Sequence, residues 1–145
     1  MYDWLDDEDN DKVRKYFEEN GLKLVTLQGE LCAPGIQQNR LKLTIPEWYV
    51  FTIRLDGKRV GLRKMQEICN SLGLMMVPVE EVGMDLPSKY PTVEALLERA
   101  DGEYPRGGKK EGIVIRPTEP VFNERISAAL SMKVVSNKYL LKNEG

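Results

Sequence analysis

A β-hairpin followed by a helix is the feature that most restricts the fold of this 145-residue chain. The run from Trp48 to Leu55, WYVFTIRL, is rich in aromatic and β-branched residues, which favour strands. Asp56-Gly57 is a turn sequence typical of hairpins, so the second strand is predicted over residues 58–62. In residues 63–72 the apolar positions recur at helical spacing, and Gly73 follows. The sequence therefore predicts a helix that packs on this sheet.

The other predicted elements alternate irregularly between helices and strands. Helices are predicted over residues 9–20 and 92–102, strands over 22–28, 74–79, 111–117 and 131–136, and a helical connection over 122–130. Residues 103–110, EYPRGGKK, have the glycine, proline and charge content of a mobile loop. This order indicates an α+β fold with mainly antiparallel sheets and flanking helices, rather than a repeated βαβ array.

Composition limits the location and the chemistry. The chain is 41% hydrophobic and 30% charged, which suits one globular domain or most of one. No run approaches the roughly 20 apolar residues of a membrane span, and the acidic amino terminus does not resemble a signal peptide, so a cytoplasmic protein without membrane contact is expected. Cys32 and Cys69 lack CxxC spacing and are most simply reduced core residues. Without histidine, any chemistry must use Lys, Glu, Asp or a bound metal.

The net charge of -2 conceals an uneven distribution. Residues 1–20, within an acidic helical lead-in over residues 1–21, carry eight acids and three bases. By contrast, residues 54–64 carry five bases and one acid, and residues 106–142 carry eight bases and three acids. Each basic cluster is either a solvated face or a surface for nucleic-acid phosphates, and the sequence leaves both interpretations open.

Residues 29–39, GELCAPGIQQN, form the first candidate site. Glu30 follows an apolar run and is predicted at the end of a strand, and Pro34-Gly35 then turns the chain. Three amide side chains come next, those of Gln37, Gln38 and Asn39. From composition alone this is also what an ordinary polar loop looks like.

Three further stretches complete a pattern. They are WYVFTI, EGIVIRP and SMKVVSNKYLLK, which contain Phe51, Glu111 and Lys133. Together with GELCAPGIQQN they resemble, in order, motifs III to V of the ATP-dependent nick-sealing RNA ligases of the covalent nucleotidyltransferase superfamily. The resemblance implies a partial nucleotidyltransferase (ATP-grasp-like) domain over residues 1–145.

Site roles follow from the same resemblance. It implies that Glu30 contacts the ribose of the nucleotide and that Phe51 stacks on adenine. Glu111 would be the acid near the metal and the phosphates, and Lys133 would contact phosphate. These residue types meet the needs of adenylyl transfer, which requires a stacking ring, a carboxylate for Mg²⁺ and positive charge near the α-phosphate.

The chain also departs from the family pattern. Thr52 stands where the family has an Asp, and Val135 stands where many members have a second lysine. Enzymes of this class form a lysyl-adenylate on an upstream KxDG motif, which does not occur among these residues. The nearest string, RLDG at residues 54–57, lies downstream of Glu30, and an arginine stays protonated and is a poor nucleophile. The chain thus looks like the carboxyl-terminal part of an adenylation domain without its catalytic lysine.

Two functions are compatible with this sequence. The first is ATP binding, with Mg²⁺ or Mn²⁺, in an RNA ligase that seals 5′-phosphate and 3′-hydroxyl ends in RNA repair. Its expected partners are RNA or a nicked duplex, together with the missing amino-terminal half of the domain or a second copy of the chain. The second is a non-catalytic nucleic-acid-binding or interaction module that kept the ligase fold.

Overall fold

A computed structural model describes residues 7–36, 39–83 and 85–143. The chain divides into two compact units. The first unit comprises residues 1–31 and 48–78, and the second comprises residues 32–47 and 79–145. The first unit holds the predicted hairpin, and the second holds the last two motifs.

The first unit is built on a three-stranded sheet with strand order β1-β2-β3. Its elements in chain order are α1 (Asp7–Glu19), β1 (Val25–Cys32), β2 (Glu47–Leu55), β3 (Lys58–Arg59) and α2 (Leu62–Leu72). The predicted hairpin is confirmed, since β2 and β3 are antiparallel, although β3 is shorter than predicted. Asp56 and Gly57 both have positive φ, 49° and 79°, as a tight two-residue hairpin turn requires. Asp56 Oδ1 also accepts hydrogen bonds from the amides of Lys23 and Leu24, at 2.7 and 2.8 Å.

The core of the first unit lies between α2 and the sheet. The four buried residues of α2 are those that the helical spacing singled out, and they pack with Val50 and Ile53 of β2. Burial of these apolar side chains is the main favourable contribution to the stability of this unit. Gly73 ends α2 with a φ of 68°, a left-handed conformation that glycine adopts without strain. The predicted helix and its end are therefore confirmed.

Two strand predictions in this unit need correction. The strand predicted over residues 74–79 is reduced to one parallel bridge between Val50 and Met76, with Pro78 unable to donate a further ladder bond. In addition, β1 does not end at Gln28 but continues to Cys32, so Glu30 lies inside a strand rather than at its end or in the loop after it. Pairing with β2 extends β1 through Gly29, which sequence propensity treats as a strand end.

Among its described residues, the second unit combines three helices with two small antiparallel sheets. Its elements are α3 (Leu86–Lys89), α4 (Val93–Ala100), β4 (Gly112–Ile115), β5 (Phe122–Asn123), β6 (Ala128–Ala129), β7 (Met132–Val135) and α5 (Asn137–Asn143). The predicted cap of α4 is confirmed, because Thr92 Oγ1 accepts a hydrogen bond from the amide of Ala95 at 3.1 Å. Strands β4 and β7 pair with Val114 opposite Lys133.

The helical connection predicted over residues 122–130 is wrong. Phe122 pairs with Ala129 and Asn123 with Ala128, so this segment is a short hairpin. Local turn chemistry decides the outcome: Asn123 Oδ1 accepts a hydrogen bond from the amide of Arg125, and Ser127 adopts a φ of 48°. The large apolar residues of the hairpin remain exposed, so no buried face stabilises a helix here.

The described residues contain no helix that is long and apolar enough to cross a membrane.

Candidate functional site

Glu30 and Phe51 lie in the first unit on neighbouring strands of one sheet. Glu30 is exposed on β1, and no described residue forms a hydrogen bond or an ion pair with its carboxylate. Phe51 on β2 is partly exposed and does not belong to the buried core cluster, whereas its neighbour Thr52 is 2% exposed. An exposed carboxylate and a partly exposed aromatic residue thus occur on adjacent strands.

Gly29 explains how the backbone before Glu30 is held. A Cβ atom at Gly29 would lie 2.5 Å from two atoms of the Trp48 indole and 2.7 Å from the carbonyl oxygen of Tyr49. The indole therefore packs directly against the Gly29 backbone, at a spacing that no side chain allows. Trp48 is a site-supporting residue that sequence reasoning missed, although its place at the start of the WYVFTI motif was visible.

Glu111 and Lys133 lie in the second unit, on the paired strands β4 and β7. Glu111 immediately precedes β4, and its carbonyl accepts a hydrogen bond from the Ser136 amide at 2.8 Å. Lys133 is exposed opposite Val114, on the solvent face of this sheet. The fold brings both residues to one small sheet, but no ion pair joins their side chains within the described ranges.

Arg40 is the partner of Glu111, and it was not predicted. Its Nη1 donates to Glu111 Oε1 at 2.7 Å, and the two side chains are only 18% and 29% exposed. The Arg40 guanidinium also lies 4.3 Å from the centre of the Tyr139 ring, a cation–π geometry. Arg40, which directly follows GELCAPGIQQN, therefore contacts both later motifs, Glu111 in EGIVIRP and Tyr139 in SMKVVSNKYLLK. Arg40 and Glu111 are 71 positions apart in the sequence. No local sequence pattern could have indicated that contact.

The backbone around Arg40 is fixed on both sides. Asn39 adopts a φ of 49°, and its side chain amide forms two hydrogen bonds of 2.8 Å with the backbone of Leu43. A Cβ atom at Gly108 would lie 2.0 Å from the carbonyl oxygen of Arg40, so only glycine fits there. Asn39 is the only one of the three predicted amides that can be placed, because Gln37 and Gln38 lie outside the described residues.

The loop predicted over residues 103–110 is a hydrogen-bonded turn. The amide of Tyr104 donates to the carbonyl of Gly108 at 2.9 Å, and the amide of Gly107 donates to the carbonyl of Tyr104 at 2.8 Å. Lys110, at the end of this turn, forms an ion pair with Glu80. The glycine and proline content of residues 103–110 thus reflects a tight turn rather than a mobile loop.

Two polar clusters support the elements that carry these residues. In the first, Glu81 is bonded to Lys89, Tyr90 and Arg99, and the Lys89 hydrogen bond is the main cause that holds the pKa of Glu81 below its usual value. In the second, the buried Ser136 donates through its hydroxyl to Asp101, which lowers the pKa of that carboxyl. Both clusters are structural, since every polar partner in them comes from the chain itself.

The metal prediction rests on Glu111 alone. The described residues contain no group of three or more acidic, cysteine or histidine side chains that could hold a metal ion. Mg²⁺ does not need such a group, because it commonly binds through one or two carboxylates together with water and substrate phosphates. Glu111 can supply one carboxylate oxygen while the other is bonded to Arg40. The donor set therefore fits a metal ion that arrives with a phosphorylated ligand.

Comparison with known proteins gave a family and a set of related structures. The family model described as RNA ligase matches residues 2–135. A structure of Naegleria gruberi RNA ligase with PPi has a TM-score of 0.68 at 24% identity, and covers 93% of this chain and 39% of that chain. A variant of that ligase with ATP and Mn has a TM-score of 0.68 at 22% identity, and covers 94% of this chain and 39% of that chain. A second variant with ATP and Mn has a TM-score of 0.69 at 23% identity, and covers 93% of this chain and 38% of that chain.

The likeness to these structures confirms the α+β fold class predicted from the sequence. At these identities it carries information on the fold alone. This chain spans about two fifths of the length of that ligase. No curated protein sequence gave a match.

Proposed function

Because the chain belongs to the RNA ligase family, we propose that it binds ATP or AMP through motifs III to V of a ligase adenylation domain. The bound nucleotide would serve the sealing of RNA 5′-phosphate and 3′-hydroxyl ends. The observation that carries the proposal is that Glu30 and Phe51 lie on adjacent strands: an exposed carboxylate without a partner among the described residues is on β1, and a partly exposed aromatic residue is on β2. A carboxylate accepts hydrogen bonds from ribose hydroxyls, and an aromatic ring stacks on a purine.

Each residue has a distinct role in this proposal. Phe51 offers a ring face on which adenine stacks, and Glu30 accepts hydrogen bonds from the ribose hydroxyls. Lys133 places a positive charge at the phosphates. Glu111 would hold a divalent metal ion together with the phosphate oxygens, and the ion pair with Arg40 keeps the Glu111 carboxylate in one orientation. Mg²⁺ or Mn²⁺, when bound there, would neutralise charge on the α-phosphate.

The nucleophile is the missing component. The 145 residues contain no KxDG motif, and Asp56 of the RLDG string is occupied in capping two backbone amides. We therefore expect no covalent AMP on the chain after incubation with ATP and Mg²⁺. A lysyl-adenylate would have to form on a partner that carries a KxDG lysine, such as the amino-terminal half of such a domain. The cytoplasmic location, the RNA partner and the role in RNA repair remain predictions.

The binding test is a titration of the chain with ATP and AMP in the presence of Mg²⁺ or Mn²⁺. We expect Glu30→Ala and Glu111→Ala each to weaken binding, and only Glu111→Ala to change its metal dependence. Glu119→Ala is the matched control, because Glu119 is exposed in the second unit. Equal nucleotide affinities of the wild type and the three variants would contradict the proposed site. Mass spectrometry of the same samples tests the nucleophile, and a mass increase of one AMP would overturn that part of the account.

The second candidate is a non-catalytic nucleic-acid-binding module. It is favoured by the missing KxDG motif and by the five bases of residues 54–64. The two candidates differ in one measurement: the module would bind RNA but not ATP, whereas the adenylation domain binds ATP.

A further inference from the structure

Two arginines face each other across the first hairpin. In the β2–β3 ladder Arg54 and Arg59 are directly opposite, so their side chains leave the sheet on the same face. Like charges at opposed positions of a ladder are destabilising. Such a pair therefore requires a compensating interaction.

Nothing in the described part of the chain compensates Arg59. Its Nε and Nη1 atoms are shielded from solvent and have no hydrogen-bond acceptor. Desolvation by burial, with a smaller contribution from the Arg54 charge, lowers the pKa of the Arg59 guanidinium. Desolvated polar groups are nearly always hydrogen-bonded in folded proteins, and an unpaired charged one is especially costly. Because Arg59 departs from this rule, we expect its hydrogen-bond acceptor to come from a bound ligand.

The neighbouring groups do not supply that acceptor. Arg54 Nη1 donates to the neutral side chain oxygen of Gln28 at 2.8 Å. Asp56, the only acid among residues 54–64, uses Oδ1 to accept from the amides of Lys23 and Leu24. The hairpin thus keeps a positive charge that its own acid does not neutralise.

The hairpin and helix segment that carries the pair holds three further bases, which suits a polyanion better than a single anion. Lys58 in the same hairpin is exposed, and so are Arg63 and Lys64 in the first turn of α2. Of these three, only Lys64 is within ion-pair distance of a described acid, Glu67 at 3.9 Å. Several exposed bases on one strand-turn-helix segment match the repeated phosphates of a nucleic-acid strand.

The pair is also close in the fold to the first candidate site residue. Gln28, which holds Arg54, and Glu30 are alternate residues of β1, and both are exposed. Alternate residues of a strand share a face and are about 7 Å apart. A phosphate held by the arginines would thus lie on the sheet face that carries Glu30.

We propose that Arg54 and Arg59 form a phosphate-binding subsite for a nucleic-acid strand, in which the partly exposed Arg59 side chain turns toward solvent so that its unpaired nitrogens reach a phosphate. The choice of RNA as that strand rests on the proposed function, but the subsite itself does not. Guanidinium groups suit it because they bind phosphate oxygens in a fixed, two-pronged geometry.

The test compares Arg59→Leu with Arg14→Leu, the same change at an exposed position of α1. Without ligand, Arg59→Leu should raise the melting temperature, because it removes an unpaired desolvated charge, whereas Arg14→Leu should leave it unchanged. Affinity for a short single-stranded RNA at low salt should fall about tenfold or more in Arg59→Leu and stay unchanged in Arg14→Leu. The slope of log affinity against log salt should decrease by about 0.7, the value for one phosphate contact.

Arg59→Lys and Arg54→Leu provide the second line of evidence, because neither leaves the Arg59 position without a long side chain. Both should weaken RNA binding while the protein stays folded. Loss of stability in Arg59→Leu together with unchanged RNA affinity in all three variants would show that the arginines are structural.

Two further probes separate the alternatives. Inorganic phosphate at the same phosphate concentration should bind more weakly than RNA, and equal binding would overturn the assignment to a strand. An acidic peptide that binds with the same dependence on Arg59, while RNA does not, would point to a protein partner and also overturn it. ATP titration of Arg59→Leu should match the wild type. Failure of ATP binding in every protein would reject the proposed function and leave the arginine result intact.

Discussion

Replacing Gly108 by alanine should damage the support of Arg40 more than backbone strain alone can explain. Gly108 has a φ of 99°, and a Cβ atom there would lie 2.0 Å from the carbonyl oxygen of Arg40 and 3.0 Å from its carbonyl carbon. Gly83 in the same unit has a φ of 73°, and a Cβ atom on it would have nothing within 4 Å, so Gly83→Ala is the control for strain without a clash.

The magnitude follows from the two geometries. A left-handed conformation costs an alanine about 1 to 2 kcal/mol, and both variants incur this cost. Real Cβ contacts stay above 3.0 Å, so Gly108→Ala also forces a displacement of 1.0 Å, the difference between 3.0 and 2.0 Å. Arg40 is tied to Glu111, and its neighbour Asn39 is tied to Leu43, so that movement disrupts at least one of these contacts. We expect a total of about 3 to 5 kcal/mol for Gly108→Ala.

Thermal unfolding measures the difference. At about 4 °C per kcal/mol, Gly108→Ala should lower the melting temperature by about 12 °C or more, and Gly83→Ala by about 4 to 8 °C. Metal-dependent nucleotide binding should weaken in Gly108→Ala only, because Arg40 then no longer positions Glu111. Equal melting temperatures in the two variants would refute the close packing of the 103–110 turn on Arg40.

Three further results are expected. In a double-mutant cycle, Arg40→Leu and Glu111→Gln should show a coupling of about 1 kcal/mol in unfolding free energy, and additive effects would contradict the ion pair. Phe51→Leu should keep most of the buried apolar area, yet lower ATP affinity about tenfold by the loss of stacking, and a stability loss at unchanged affinity would instead place Phe51 in the core. Ser136→Ala removes the hydrogen bond that lowers the pKa of Asp101. The stabilisation that comes from a lowered carboxyl pKa is present above the unfolded pKa of about 4 and is lost on acidification. Ser136→Ala should therefore destabilise the protein more at pH 7 than at pH 2. Denaturant unfolding at both pH values measures this difference.

Local signals predicted the elements that short-range chemistry controls. The hairpin depends on Asp56 and Gly57 adopting positive φ, the end of α2 on Gly73, and the start of α4 on the Thr92 hydroxyl. In each case the deciding interaction joins residues no more than a few positions apart, so the sequence window contains all of it. The family was also readable from short sequence strings, and the family match confirms the family, while the roles of the individual motif residues stay predictions.

Tertiary structure decided what those windows do not contain. Apolar spacing in residues 122–130 was compatible with a helix, but no buried surface receives such a face, and a hairpin forms instead. Glu30 became a mid-strand residue because β2 pairs with β1 beyond Gln28. Arg40 meets Glu111 across 71 positions, and Arg59 faces Arg54 without an acceptor. Contacts of this kind depend on where the folded backbone places distant or cross-strand side chains, and residue identity alone does not specify that placement.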